Sequence, residues 1–145
     1  MGLESGEEYR IINAKSRDTA LDLSGDDDRS VIGWSKHDGD NQKWRLQQHG
    51  HHWAIQNVAR NKFLVLDGSY QDGAPIVAVD GWEFQWDIQA VEEDENIYRI
   101  VVPESAAQLN VDLSDNGNSD NGTPVQAWGQ WPEGGEHQTW IFEER

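Results

Sequence analysis

The sequence predicts an all-β protein built from three copies of a unit of four short strands. Along its 145 residues, short runs of Val, Ile and Leu stand between clusters of Gly, Asp, Asn and Ser, a pattern typical of strands joined by turns. No segment has a sustained helical period. Four sequence patterns also recur three times, in the same order along the chain. The composition therefore indicates strands, and the recurrence indicates threefold internal repetition.

The recurring patterns predict one strand each. The first is an aromatic residue followed two positions later by Ile, and its copies start 44 and 45 residues apart. The second has apolar residues on both sides of a middle residue, so the outer pair should face the core and the middle residue the surface. The third is a short apolar run, and the fourth centres on Trp. The copies are 9–13, 53–57 and 98–102; 21–23, 64–66 and 111–113; 31–34, 76–79 and 125–128; and 42–46, 84–88 and 138–142.

The three units belong to one domain that spans residues 1–145, with repeats at approximately 7–48, 51–91 and 96–145. A unit of about 45 residues is too small to bury its own apolar face, so the polar linkers between units are turns inside the domain. A closed threefold arrangement would leave no sheet edge exposed. Trp44, Trp86 and Trp140 recur at one position in every repeat, and we therefore expect them in a shared core.

Charge and composition disfavour several classes of partner and chemistry. The net charge of −16 argues against nucleic acid, whose phosphates require clustered Lys and Arg, and against anionic membrane surfaces. No apolar run reaches the roughly 20 residues of a membrane span, and the first residues lack a secretion signal, so we expect a cytoplasmic protein. Since the chain has no Cys, disulfides, thiolate catalysis and Cys-based zinc sites are excluded.

The Gln-x-Trp motifs at 42–44 and 138–140, with the Leu-Asp-Leu and Val-Asp-Leu strands upstream, resemble the ricin B-type lectins. The resemblance is strongest to the small, cysteine-free fungal members and covers essentially the whole chain. It implies a β-trefoil of twelve strands, with a six-stranded barrel closed by three hairpins and up to one sugar site per repeat. It further implies a non-enzymatic protein without a cofactor that binds galactose or N-acetylgalactosamine on glycoproteins or glycolipids. Two sites per chain or a homodimer would supply avidity for agglutination and for a role in defence.

The first repeat carries the groups that a neutral sugar requires. Such a sugar needs a carboxylate that accepts hydroxyl protons, an aromatic face for its C–H patch and an orienting amide or His. We expect Asp22 to project outward from its strand, with Trp34 twelve positions later. The resemblance assigns sugar contacts to the Asp, the aromatic and the Asn, and a partly structural role to the Gln; whether Trp34 or His37 stacks on the sugar is open. The predicted site comprises Asp22, Trp34, His37, Gly39, Asn41 and Gln42.

The third repeat carries a similar set with two departures. The segment between the Asp and the Trp is four residues longer than in the first repeat, and His137 stands where the first repeat has Asn. A His can still bond a sugar hydroxyl. Trp131 is an alternative to Trp128 as the stacking ring. The predicted site comprises Asp112, Gln126, Trp128, Trp131, His137 and Gln138.

The second repeat has lost these groups. Val65, Val79 and Phe84 occupy the positions of the Asp, Trp and Gln, and Asp67, two places late, is expected to open a turn. We therefore expect no sugar binding of this type at the second repeat.

Other interpretations of the same residues predict different chemistry. The histidines at 49–52 could ligate zinc or nickel, but they lie in a predicted turn, and the acidic segments 26–28 and 115–120 lack the residue order of a calcium loop, so we predict no metal site. No motif singles out a catalytic pair. The alternative function is a β-trefoil protease inhibitor acting through one exposed loop. An inhibitor would not need an Asp and a Trp repeated in register, and this recurrence favours the lectin.

Overall fold

Each of the three repeats forms four strands. The structure is a computed structural model that describes residues 2–145, apart from the side chain of Glu93. The strands are β1 (Glu8–Asn13), β2 (Thr19–Leu23), β3 (Val31–Ser35), β4 (Lys43–His49), β5 (His52–Asn57), β6 (Phe63–Leu66), β7 (Ile76–Val79), β8 (Asp87–Glu92), β9 (Ile97–Val101), β10 (Leu109–Leu113), β11 (Thr123–Gly129) and β12 (Trp140–Glu144). Short helical turns lie at Asp40–Gln42, Glu93–Glu95, Ser114–Gly117 and Glu136–Gln138. None of the helices among these residues is long and apolar enough to cross a membrane.

Six of the strands close a barrel. Strand β1 pairs with β4 and β12, β4 pairs with β5, and β9 pairs with β8 and β12. An antiparallel bridge between Trp53 and Trp86 joins β5 to the residue that precedes β8. The ring of pairings is therefore complete.

The other six strands form three hairpins, β2–β3, β6–β7 and β10–β11. The hairpins also contact one another: β11 pairs with β3, and single bridges join Ser30 to Val77 and Pro75 to Gln126. A six-stranded barrel with three mutually bridged hairpins is a β-trefoil, and the predicted fold class is confirmed.

The recurring tryptophans tie the barrel to the hairpins. All three are fully buried, and each indole N–H donates to a backbone carbonyl in the first strand of the hairpin of its own repeat. The bonds join Trp44 to Leu21, Trp86 to Leu64 and Trp140 to Val111 at 3.0, 2.8 and 2.9 Å. Because Leu21 and Val111 immediately precede Asp22 and Asp112, the core fixes the backbone next to both predicted carboxylates.

Candidate functional site

A cavity beside the β2–β3 hairpin collects most of the residues predicted for the first repeat. Asp22 stands opposite Ile32 in this hairpin. The cavity has a volume of about 280 Å³ and is lined by Asp22, Ser24, Gly25, Asp26, Ile32, Trp34, His37 and Asn41. Four of the six predicted residues thus lie on its wall, and the other two, Gly39 and Gln42, do not line it.

Asp22 lies on the cavity wall but is only 3% exposed, whereas the sequence predicted a surface residue. The loop after β3 folds back over the strand, so that Nε2 of Gln42 and Nδ2 of Asn41 donate to Oδ2 of Asp22 at 2.9 and 3.1 Å. Among the described residues, no hydrogen bond reaches Oδ1, which can therefore accept one from a ligand. Burial raises the pKa of Asp22 above its ordinary value, and the hydrogen bond from Gln42 opposes this rise.

Gln42 and Gly39 position the residues that line the cavity. The buried Gln42 accepts the backbone N–H of His37 at 2.8 Å and also donates to the carbonyl of Ser35 at 3.0 Å. The N–H of Gly39 donates to Nδ1 of His37 at 2.8 Å, and a Cβ at position 39 would lie 2.7 Å from Cε1 of that ring. The close approach explains why glycine stands there.

His37 and Trp34 supply the donor and the aromatic surface of this cavity. Because Nδ1 of His37 accepts a hydrogen bond, the neutral ring carries its proton on Nε2, which lies 4.0 Å from Oδ2 of Asp22. That N–H can donate to a ligand oxygen. Trp34 stands opposite Ala20 in the hairpin and is 40% exposed, an unusual exposure for so large an apolar side chain.

The third repeat forms a smaller version of the same arrangement. Its cavity has a volume of about 170 Å³ and is lined by Asp112, Asp115, Asn116, Gln126, Trp128, Trp131 and His137. Oδ2 of Asp112 accepts from Nε2 of Gln138 at 3.0 Å, and Oδ1 accepts from Nε2 of Gln126 at 3.3 Å. Burial raises the pKa of Asp112. Gln126 occupies the position of Ile32 in the first repeat, so both carboxylate oxygens are engaged here.

His137 lies deeper than predicted. The sequence placed it against a sugar hydroxyl, but it is 1% exposed, its Nε2 lies 3.2 Å from Oδ2 of Asp112, and the ring of Trp131 packs edge-on at 4.5 Å. On its other side, a Cβ at Gly117 would lie 3.0 Å from Cβ of His137. Burial lowers the pKa of His137, which favours the neutral ring. His137 therefore orients Asp112, as Asn41 orients Asp22, and Trp131 covers it.

In the second repeat, apolar side chains fill the position of the carboxylate and its amide partner. Val65 is buried, and the ring of Phe84 packs 4.6 Å from that of Trp86 in the core. With Val79 in place of the Trp, the strands are retained without the polar set.

Two buried asparagines that the sequence analysis missed hold the site loops from a neighbouring repeat. Nδ2 of Asn57, at the end of β5, donates to the carbonyl of Asn41 at 3.0 Å. Nδ2 of Asn13, at the end of β1, donates to the carbonyl of His137 at 2.9 Å. The third equivalent position holds Val102. The sequence signal that could have identified them is an Asn at the last position of the first strand pattern, which is present in two repeats and absent from the third.

In the turns considered above as metal sites, Asp27 and His49 already contact other groups of the protein. Hydrogen bonds from the hydroxyl and backbone of Ser30 and the backbone of Arg29 lower the pKa of Asp27 to about 2. His49 lies 3.2 Å from a carboxylate oxygen of Glu83. Within residues 2–145, one group of three side chains could hold a metal ion, and it lies outside both cavities: Glu4, Glu7 and Glu144.

Comparison with known proteins places these features in a family context. A family model described as "ricin-type β-trefoil lectin domain-like" matches residues 2–79. The solved structure of a ricin B-like lectin from Macrolepiota procera in complex with lactose is 39% identical, covers 100% of both chains and gives a TM-score of 0.90. The Rhizoctonia solani agglutinin is 25% identical over 100% of this chain and 99% of its own, with a TM-score of 0.83.

A designed threefold-symmetric protein, ThreeFoil, is 23% identical, covers 95% of this chain and 99% of its own, and gives a TM-score of 0.82, a likeness of fold alone. A search of curated proteins found no match. The match to the M. procera lectin extends over the third repeat, which the family model does not reach.

Proposed function

The chain belongs to the ricin-type β-trefoil lectin family, and we propose that it binds terminal galactose or N-acetylgalactosamine of glycans at its first repeat and, more weakly, at its third. The observation that carries the proposal is the buried carboxylate of Asp22, with one oxygen free, beside the exposed indole of Trp34. A galactose ring offers vicinal hydroxyls on one side and a C–H patch on the other, which match an acceptor and an aromatic surface.

The difference between the two sites follows from their carboxylates. Among the described residues no group donates to Oδ1 of Asp22, whose cross-strand neighbour is the apolar Ile32, whereas Oδ1 of Asp112 already accepts from Gln126. A hydroxyl at the third repeat must share or replace that bond. Since the third cavity is also smaller, with about 170 Å³ against about 280 Å³, we expect the weaker affinity there.

The preference for galactose is supported by the lactose that the M. procera lectin binds, because lactose ends in galactose. Neither cavity needs a metal or a cofactor for this recognition, and we propose a non-enzymatic protein. Two sites in one chain, or a homodimer, would cross-link glycans on a cell surface and give an agglutinating, defensive protein its avidity.

A glycan array tests the proposal with three tryptophan variants. We expect the wild type to bind galactose- or N-acetylgalactosamine-terminated glycans, Trp34→Ala to lose most of that signal, and Trp128→Ala to lose a smaller part. Trp82→Ala is the matched control, because Trp82 is 51% exposed but lies in the repeat that lacks the carboxylate. A blank array from folded wild-type protein would contradict the proposal and favour the protease inhibitor, and an equal loss in the control would contradict the assigned sites.

A further inference from the structure

A second cavity adjoins the third-repeat site. It has a volume of about 290 Å³ and lies between the 131–136 loop, the turn after β1 and strand β9. Trp131 lines both this cavity and the one that holds Asp112. Arg17 and Arg99 are its two cationic side chains. A ligand residue in the third-repeat site would therefore lie next to a side chain, Trp131, that also lines the cavity with the two guanidinium groups.

Arg99 is a partly buried cation without a carboxylate partner among the described side chains. Its Nη1 donates to the amide oxygens of Asn110 and Gln138, at 2.9 and 3.3 Å. Burial lowers the pKa of Arg99. Gln138 links this group to the sugar site, because the same oxygen accepts the N–H of Trp131 and the Nε2 of the same amide bonds Asp112.

The first repeat has an arginine at the equivalent position, and that arginine is paired with a carboxylate. Arg10 is the equivalent residue of the first repeat, and its cross-strand neighbour is Glu143, which accepts from its Nε at 2.9 Å. The cross-strand neighbour of Arg99 is Gln89, whose amide bonds Asp87 instead. The third repeat thus keeps the guanidinium but lacks a counter-ion among the side chains that the structure describes. In a chain with a net charge of −16, a partly buried arginine that pairs with no described carboxylate and lies beside an open cavity is unusual.

We propose that this cavity, which we call the Arg99 cavity, binds the anionic group of an acidic glycan whose galactose residue occupies the third-repeat site. The anion is the carboxylate of an acidic sugar or a sulfate ester, since a guanidinium fork can bond two oxygens of either group. The inference rests on the proposed sugar binding at Asp112 and extends it to a charged substrate class.

Three glutamates on the rim limit how tightly an anion can bind. Glu92, Glu133 and Glu136 line the Arg99 cavity and are exposed. Water and salt screen exposed charges more than partly buried ones, so Arg99 should dominate at short range. Removing one of these glutamates should therefore raise the affinity for an anion and leave a neutral ligand nearly unaffected.

The test compares lactose with its sialylated and sulfated forms in a Trp34→Ala background, in which the third repeat reports alone. Calorimetry at physiological ionic strength should give at least one acidic form an affinity about tenfold above that of lactose. Arg99→Gln should reduce this ratio to about one or less. Any effect of Arg99→Gln on the position of Gln138 would change the affinities for lactose and for the acidic form alike. The ratio of these two affinities therefore reports on the anion alone. The sialylated and sulfated arms identify which anion is recognised.

Two exposed variants keep the test decisive if Arg99→Gln does not fold. Arg17→Gln should lower the ratio, and Glu136→Gln should raise it. If the Trp34→Ala parent binds lactose and both acidic forms with equal affinity, the proposed role of the Arg99 cavity is refuted. The same holds if none of these variants changes the ratio of the two affinities. Neither result would refute sugar binding at the third repeat. Failure of this background to bind lactose or either acidic form would overturn sugar binding at the third repeat as well. Binding of an acidic form without lactose would support the Arg99 cavity.

Discussion

Replacing Asp22 by Asn should separate sugar binding from folding. Gln42 and Asn41 both donate to Oδ2 of Asp22. The new amide would turn its oxygen toward these two donors, because the opposite orientation would bring N–H groups against N–H groups. Its NH₂ group would then occupy the place of Oδ1. The atom that faces the cavity would change from a charged acceptor to a donor, while the hydrogen bonds that hold the loop would persist.

The substitution should affect lactose binding more than it affects the stability of the fold. Hydrogen bonds to a charged group contribute about 1.5–3 kcal/mol, so losing the acceptor at Oδ1 should raise the Kd for lactose about 10- to 100-fold. The free energy of unfolding should change by less than about 1 kcal/mol, because the hydrogen bonds remain and a buried charge is removed. Asp22→Ala is less clean, since it leaves one N–H of Gln42 and one of Asn41 unpaired, at a cost of about 1–3 kcal/mol.

Calorimetry with lactose in a Trp128→Ala background, together with urea unfolding, measures both quantities. Asp18→Asn is the matched control: it makes the same change of charge at a side chain that is 98% exposed, and it should alter neither value. Unchanged lactose affinity in Asp22→Asn would refute the role assigned to Oδ1. A loss of more than about 2 kcal/mol in unfolding free energy would refute the proposed reorientation of the amide.

Three further outcomes follow from the hydrogen bonds around the site. Gln42→Glu should reduce the unfolding free energy by about 1–3 kcal/mol at neutral pH, with relief on acidification, because a second carboxylate would face Asp22; denaturant titrations at about pH 7 and about pH 5 measure this. As the pH is lowered, lactose binding should begin to weaken while the pH is still above 3.8, the ordinary pKa of aspartate, because the pKa of Asp22 is raised and its carboxylate is protonated early. Protonation of Asp22 favours the folded state, so a parallel unfolding series should show that the loss of binding does not follow a loss of stability. Trp86→Phe should cost about 2–4 kcal/mol by leaving the carbonyl of Leu64 unpaired and a void beside it, with calorimetry giving an unchanged lactose affinity.

The strands and the core could be predicted because equivalent positions can be compared among the three repeats. Trp44 alone is compatible with a core or a surface role, but its recurrence in a repeat that has lost the site's Asp, Trp and Gln identifies it as core. The alternation of apolar and polar residues around Asp22 also predicted the correct face of the strand for its side chain, because successive side chains of a strand point to opposite faces.

Exposure could not be predicted, because it depends on loops without a period. The 36–42 loop folds over β2 and covers Asp22 through contacts that span about twenty positions of sequence. At the third repeat, Trp131 covers His137, and only the folded loop reveals that this His is a support for Asp112. The free oxygen of Asp22, and the absence of a described carboxylate beside Arg99, likewise become visible only in the folded structure.

The two buried asparagines show that each sugar site depends on two neighbouring repeats. Asn57 lies in the second repeat and holds the first-repeat loop at Asn41, and Asn13 lies in the first and holds the third-repeat loop at His137. By the threefold relation, position 102 in the third repeat would hold the loop of the second, and it carries Val. The repeat that lost its carboxylate is thus also the one whose neighbour lost the supporting amide. A buried amide without a loop carbonyl to bond would be an unpaired polar group in the core, so loss of the site removes the reason for keeping it.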